Sequence, residues 1–224
     1  VSIKNKPQKN KKPWPTKKAM QQIYEQNLWG GFTEDFYSGD GSHNPKLVSP
    51  YLKSIQTFLV TFNNPITVCD LGCGDFNIGI NLLPFTKKYF AIDIVPELIK
   101  RNDKIYKAEN LEFLCLDIAK DNVPKADCVI IRQVLQHLSN AEVQNILQKL
   151  YNFKYVILTE HLPSRNFESN KDIISGQGIR LKKQSGINIL KPPFNFKVKE
   201  EKQLISIELP ENKGKIVTNL YTVF

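Results

Sequence analysis

Two periodicities divide the chain. Over residues 16–62 apolar positions recur at helical spacing, first as Met20, Ile23, Tyr24 and Leu28 behind Thr16, then as Leu47, Val48, Tyr51, Leu52, Ile55, Phe58 and Leu59. The first run reads as a capped helix ending at Gly30-Gly31, and a loop from Asp35 to His43 separates it from the second. From residue 66 the pattern changes to short β-branched runs at 66–70, 89–93, 111–116, 128–131 and 155–159, expected as strands. Runs this apolar suit strands covered on both faces. Helical stretches at about 77–84, 96–107 and 139–150 complete βαβ units. After residue 160 the alternation stops, and 203–209 with 216–224 read as an antiparallel hairpin around 210–214. The expected fold is α/β: a doubly wound, mainly parallel sheet of about seven strands with an antiparallel C-terminal hairpin and an N-terminal helical cap. At 224 residues the chain suits one domain with additions: a leader over 1–15, the cap over 16–62 and a Rossmann-like core over 63–224.

Charge changes this picture only at one end. Of the net +9, seven lysines lie within residues 1–18 with no acid among them, leaving +2 for the rest. A Lys/Asn/Pro-rich leader cannot bury enough apolar surface to offset its ordering entropy, so it is expected to be disordered. With the basicity concentrated there, a nucleic-acid partner is not favoured. Cys69, Cys73, Cys115 and Cys128 sit in or beside strand-like runs rather than at paired zinc spacings, so no metal is expected and a reducing compartment is. No apolar stretch approaches the ~18 residues of a membrane span, and the N-terminal residues lack the apolar core of a secretory signal. A cytoplasmic location without a membrane span is therefore expected.

The chemistry is concentrated in Val68-Cys69-Asp70-Leu71-Gly72-Cys73-Gly74-Asp75, an acid at a strand end followed by two glycines that let the backbone turn tightly against a ligand. This segment resembles motif I of the class I S-adenosylmethionine-dependent methyltransferases. The resemblance implies S-adenosylmethionine as cofactor, with Gly72 and Gly74 under its methionine portion and Asp70 near its ammonium group. A dinucleotide-binding loop would read G-x-G-x-x-G, but Phe76 and Asn77 follow here and the third glycine is missing. Asp93, with Ile94, ends the second strand 23 residues beyond Asp70, where a carboxylate accepts both ribose hydroxyls of a nucleoside. Asp117 and Ile118 end the third, the place that the resemblance assigns to adenine. Arg132 and Gln133 follow the fourth strand and complete the cofactor candidates. Outside the core, Gly39, Gly41 and Ser42 offer backbone amides for the cofactor carboxylate.

A sulfonium methyl is already activated, so the protein mainly aligns a nucleophile and excludes water. An alcohol also needs its proton removed, and histidine is the natural base near neutral pH. Three are present. His137 lies just past the fourth strand and His161 at the end of the fifth, both on the ligand-binding edge of the sheet, and both are candidate bases. His43 lies in the glycine-rich loop, where it either closes over the pocket or serves the local turn. Nitrogen targets of the adenine or glutamine kind call for an Asn/Asp-Pro-Pro-aromatic turn, but Arg132-Gln133-Val134-Leu135 stands after the fourth strand. The later Lys191-Pro192-Pro193-Phe194 begins with a residue that only donates. No cysteine follows a proline as cytosine C5 chemistry requires. Oxygen is the favoured target. The segments Leu28-Trp29-Gly30-Gly31, Ser38-Gly39-Asp40-Gly41-Ser42 and Asn170-Lys171-Asp172-Ile173-Ile174-Ser175-Gly176, with Arg180-Leu181 and Pro193-Phe194 beyond, resemble a bacterial methyltransferase branch often encoded near surface-polysaccharide genes. That resemblance implies a small-molecule or glycan acceptor, a sugar hydroxyl or similar polar group, with Trp29, His43, Asp172 and Arg180 as acceptor-side candidates. The alternatives are methylation of nucleic acid or protein, or a non-catalytic nucleotide-binding protein.

Overall fold

A computed structural model of the protein describes residues 13–31 and 35–224, so residues 1–12 of the expected leader lie outside the described residues. In chain order the elements are α1 (Thr16–Glu25), α2 (Asp40–His43), α3 (Pro45–Leu59), β1 (Thr67–Leu71), α4 (Gly79–Leu82), β2 (Lys88–Asp93), α5 (Pro96–Ile105) and β3 (Leu111–Cys115). They continue with β4 (Cys128–Arg132), α6 (Asn140–Leu150), β5 (Tyr155–Leu162), β6 (Glu200–Glu208) and β7 (Lys215–Thr222). The strands form one sheet in the order β3-β2-β1-β4-β5-β7-β6. The first five are parallel, with Val68 of β1 facing Tyr89 of β2 on one side and Cys128 of β4 on the other. The hairpin is present, and its second arm, β7, docks antiparallel on β5 and leaves β6 at the edge. The reason is apolar content: β7 buries Ile216, Val217 and Tyr221, whereas β6 is exposed along most of its length.

Strand alternation sends side chains to two cores. On one face Val68, Tyr89, Ala91, Cys128, Ile130 and Ile157 meet Tyr51, Ile55 and Leu59 of α3. On the other, Cys69, Leu71, Val129, Ile131 and Val156 meet Met20 and Ile23 of α1 and the apolar stripe Val143, Ile146, Leu147 and Leu150 of α6. Each such side chain contributes about 1.5–3 kcal/mol of burial, which makes α3 and α6 fixed walls. α6 starts at a reciprocal capping box between Ser139 and Glu142.

Two helices are shorter than their pattern. α1 stops at Glu25, and its cap position is taken by Pro15, because the Thr16 hydroxyl turns away to bond the Glu142 carboxylate. The helix expected over 77–84 shrinks to α4 and a 3-10 turn at Leu83–Phe85. Phe76 has φ 66°, which delays the helix start, and Pro84 supplies no N–H to continue it. Residues 163–199 form an insertion after β5, with one 3-10 turn at Arg180–Lys183. Asn170 organises it from a left-handed conformation, donating through Nδ2 to the carbonyls of Asn188 and Pro192 at 2.8 Å each.

Candidate cofactor and acceptor site

A cavity of about 450 Å³ opens at the C-terminal edge of β1, β2 and β4, roofed by α1, the 38–42 segment and the insertion. Its floor is the turn after β1. Gly72 (φ 85°) and Gly74 (φ 56°) adopt left-handed backbone, and a Cβ on them would collide with Val134 and with Ser38 Oγ respectively. The turn is tied to β2 because Gly74 N–H donates to Asp93 Oδ2 at 3.2 Å, while Val95 N–H donates to Asp93 Oδ1 at 3.1 Å. Burial pushes the Asp93 carboxyl up to about 6, and these backbone donors oppose the rise. Ile94, Asp117 and Ile118 continue the wall, with Asp117 accepting from Ala119 N–H at 3.1 Å and from Lys120 Nζ at 2.6 Å.

The roof over the glycine turn is fastened by polar links. Ser38 and Asp75 bond reciprocally: Ser38 N–H to Asp75 Oδ2 at 2.8 Å, and Asp75 N–H to Ser38 Oγ at 2.7 Å. The same Oδ2 lies 2.6 Å from His43 Nε2, and Tyr37 stacks on the imidazole with centroids 4.4 Å apart. Asn77 Nδ2 donates to Ser42 O at 2.6 Å and Arg132 Nη2 to Gly41 O at 2.6 Å. Gly39, Gly41, Ser42, Arg132 and Gln133 thereby meet at one end of the cavity. Arg132 lies over the Tyr51 ring at 4.7 Å, and its Nε has no partner among the described residues.

His137 lines the same cavity beside Trp29, their ring centroids 5.3 Å apart. A chain of hydrogen bonds sets its tautomer. His161 N–H donates to Gln136 Oε1 at 3.0 Å, which turns the Gln136 amide nitrogen toward His137 Nε2 at 3.3 Å. Nε2 therefore accepts, and Nδ1–H donates to Gly176 O at 3.1 Å. Burial lowers the imidazole to about 4, against the opposing pull of the insertion's backbone around Gly176.

Trp29, Gly39, Ser42, Gly72, Gly74, Asp93, Ile94, Asp117, Ile118, Arg132, Gln133 and His137 all line this one cavity. Five other candidates do not. Asp70 shares the α3 face with Val68, where Tyr89 Oη–H donates to it at 2.9 Å and burial pushes it up to about 7. His43 is spent on Asp75, behind the roof. His161 points its Nε2 at Lys213 O, 2.7 Å away on the β6–β7 turn. Asp172 caps α6 by accepting from Asn140 N–H at 2.7 Å. Arg180, 1% exposed, donates to the carbonyls of Leu135 at 3.0 Å and Leu138 at 2.7 Å, and so clamps the turn that carries His137. The sequence reasoning missed Thr16, Met20, Ser38, Gln136 and Lys182, which line the cavity, and Asp75, which fastens its roof. For Asp75 a signal existed, since an acid in the third glycine's neighbourhood has to find donors; for the others none did. Among the described residues no group of His, Cys, Asp and Glu is arranged to hold a metal ion, and no helix is long and apolar enough to cross a membrane.

Residues 69–153 match the methyltransferase domain family. The fold is that of the class I methyltransferases. The N-methyltransferase NodS from Bradyrhizobium japonicum, solved with S-adenosylhomocysteine, superposes with a TM-score of 0.68 at 12% identity, covering 92% of this chain and 98% of NodS. Magnesium protoporphyrin IX methyltransferase from Synechocystis, solved with S-adenosylmethionine, superposes at 0.58 with 16% identity over 94% of this chain and 98% of that one. In sequence, an uncharacterized RNA methyltransferase of Chlamydia pneumoniae is 28% identical over 54% of this chain and 32% of its own length. A protein with the same description from Chlamydia caviae is 32% identical over 52% of this chain and 31% of its own length. The chain thus spans about a third of the length of the curated relatives it matches.

Proposed function

We propose that the chain is an S-adenosylmethionine-dependent methyltransferase acting on an oxygen of a small polar acceptor, a sugar hydroxyl or its like. The observation that carries this is the convergence, in one cavity, of a glycine floor free of Cβ atoms, the Asp93 carboxyl group and the His137 imidazole. When bound, the cofactor supplies a methyl group already activated on a sulfonium centre. Gly72 and Gly74 allow backbone approach to its methionine portion, Asp93 accepts from the ribose hydroxyls, and Asp117 and Ile118 border the adenine. The Gly39–Ser42 amides, with Arg132 and Gln133, hold the cofactor's carboxylate end. His137 Nε2 would take the hydroxyl proton as the acceptor oxygen gains the methyl carbon and the carbon–sulfur bond breaks, the electron pair leaving on sulfur, with Gln136 displaced from that lone pair. The roof and the insertion keep bulk water from the reacting atoms.

A second reading, methylation of RNA, draws support from the description of the two chlamydial relatives. The cofactor assignment is tested by calorimetry with S-adenosylhomocysteine. Binding is expected without added metal, and Asp93→Ala should weaken it by about 1–3 kcal/mol, since two charge-assisted hydrogen bonds are lost. No binding, or an unchanged affinity in Asp93→Ala, overturns the placement of the nucleoside. Product masses from a panel of glycans, nucleotide sugars and RNA then separate the two acceptors.

A further inference from the structure

Charge outside the first eighteen residues is unevenly placed. Of the net +9, +7 falls in residues 1–18 and +6 in the 163–199 insertion, where eight Lys and Arg stand against two acids, leaving −4 for the remainder of the chain. The insertion is also the wall beside His137. Its 3-10 turn is bolted to the His137 turn by Arg180, and Gln177, Gly178, Ile179 and Lys182 from the same segment line the cavity. A positive element on an otherwise acidic body, lining the cavity beside His137, concentrates anions there.

Lys182 is the cation this wall presents to the cavity. Its Nζ makes no hydrogen bond or ion pair among the described residues, whereas its neighbours are engaged: Lys171 with Glu168 at 3.1 Å and Lys183 with Asp172 O at 2.6 Å. The acids on the same cavity are engaged elsewhere, Asp40 among them, which accepts from Asn44 Nδ2 at 3.1 Å. Asp117 is paired with Lys120, and Glu142 accepts from Thr16, Ser139 and Ser175. Asp93 is occupied by backbone donors and lies at the ribose position. Gln177, which lines the cavity, joins insertion to cap by donating through Nε2 to Leu28 O at 2.9 Å.

Resting on the methyl-transfer reading of the cavity, we propose that the acceptor is a small molecule bearing a phosphate ester or diphosphate, and that Lys182 binds its phosphate. An ammonium group with three donors is suited to phosphate oxygens as a point charge, and a cavity of about 450 Å³ suits a small acceptor. Lys182 then determines acceptor specificity, orienting the molecule so that its free hydroxyl reaches His137.

The test uses the full chain saturated with S-adenosylhomocysteine and titrated with inorganic pyrophosphate. Pyrophosphate is expected to bind, Lys182→Ala to weaken it at least about tenfold, and Lys182→Arg to restore most of the loss. Lys183→Ala, which removes an equal charge from outside the cavity, should leave it within about twofold. Pyrophosphate that fails to bind, or binds Lys182→Ala as well as wild type, overturns the proposal. Binding of a single-stranded RNA ten-mer that depends on Lys182, with none of pyrophosphate, overturns it in favour of a strand. S-Adenosylhomocysteine affinity is read on every variant, so a failure of the cofactor site, which removes both readings, is told apart from a failure of Lys182 alone.

Discussion

His137 is held as an acceptor by its neighbours rather than by its own titration. Gly176 O fixes the proton on Nδ1, and the imidazole, lowered to about 4 by burial, stays neutral through the physiological range. His137→Gln is expected to keep cofactor affinity and lower kcat by roughly 10²- to 10⁴-fold. The pH profile distinguishes this from a positioning effect. As pH falls, Asp93 protonates first, near 6, so the specificity constant for the cofactor drops there; at saturating cofactor, kcat should hold until pH approaches 4. A kcat limb at the ordinary imidazole value, or near-normal turnover in His137→Gln, rejects His137 as base. Position along the strands made the places of His137 and Asp93 on the cavity legible in the sequence, because Asp93 ends β2 and His137 follows β4 on one edge of the sheet. Asp70 shows what was legible and not used: alternation pairs it with Val68 on the α3 face, away from Leu71 and the cavity.

At the scale of elements, the roof segment is the part held with least apolar help. α2 buries no residue, and its attachment runs through Asp75, Asn77 and Arg132. Asp75 alone serves Ser38 N–H, the His43 ring and, through Oδ1, Asn77 N–H at 3.1 Å. Asp75→Ala strands these donors, so the roof should open more often and S-adenosylhomocysteine should dissociate faster, by about 5- to 30-fold, with the melting temperature changed much less. Asp75→Asn, which keeps an acceptor oxygen, should recover part of the loss. An unchanged dissociation rate in stopped-flow measurements would show that the roof does not gate the cofactor. The strands and α3, α5 and α6 were legible because their periodicity is local and their buried faces are mostly apolar. The insertion was not: Arg180 looked acceptor-facing from its place after β5, yet its hydrogen bonds run to carbonyls about 40 residues away, a pairing that no local pattern encodes. The docking of β7 rather than β6 on β5 also turns on a comparison between two strands, not on either alone.

For the whole molecule, buried acids tilt stability against pH, and Glu160 dominates. It is 3% exposed on the face opposite Tyr51 and Thr159, neither carboxyl oxygen has a partner among the described residues, and burial pushes it up to about 8 against the pull of Arg180. The native state therefore prefers the protonated acid. Below the unfolded value near 4.5 both states are protonated and the contribution to stability is complete. As pH rises above it the unfolded chain releases a proton that the native state keeps, and stability declines until the native group ionises as well, near 8. The accumulated loss is on the order of 5 kcal/mol. Asp70 and Asp93, raised to about 7 and about 6, act in the same direction over narrower ranges. Glu160→Gln keeps the shape and cannot ionise. Its melting temperature should match wild type near pH 4.5 and exceed it progressively toward pH 8.5, by roughly 10 °C or more for a chain of this size. Calorimetric scans of both proteins across that range check the sign. Parallel profiles would mean that Arg180 or buried water already holds Glu160 ionised, and a gap that widens toward acid would reverse the assignment.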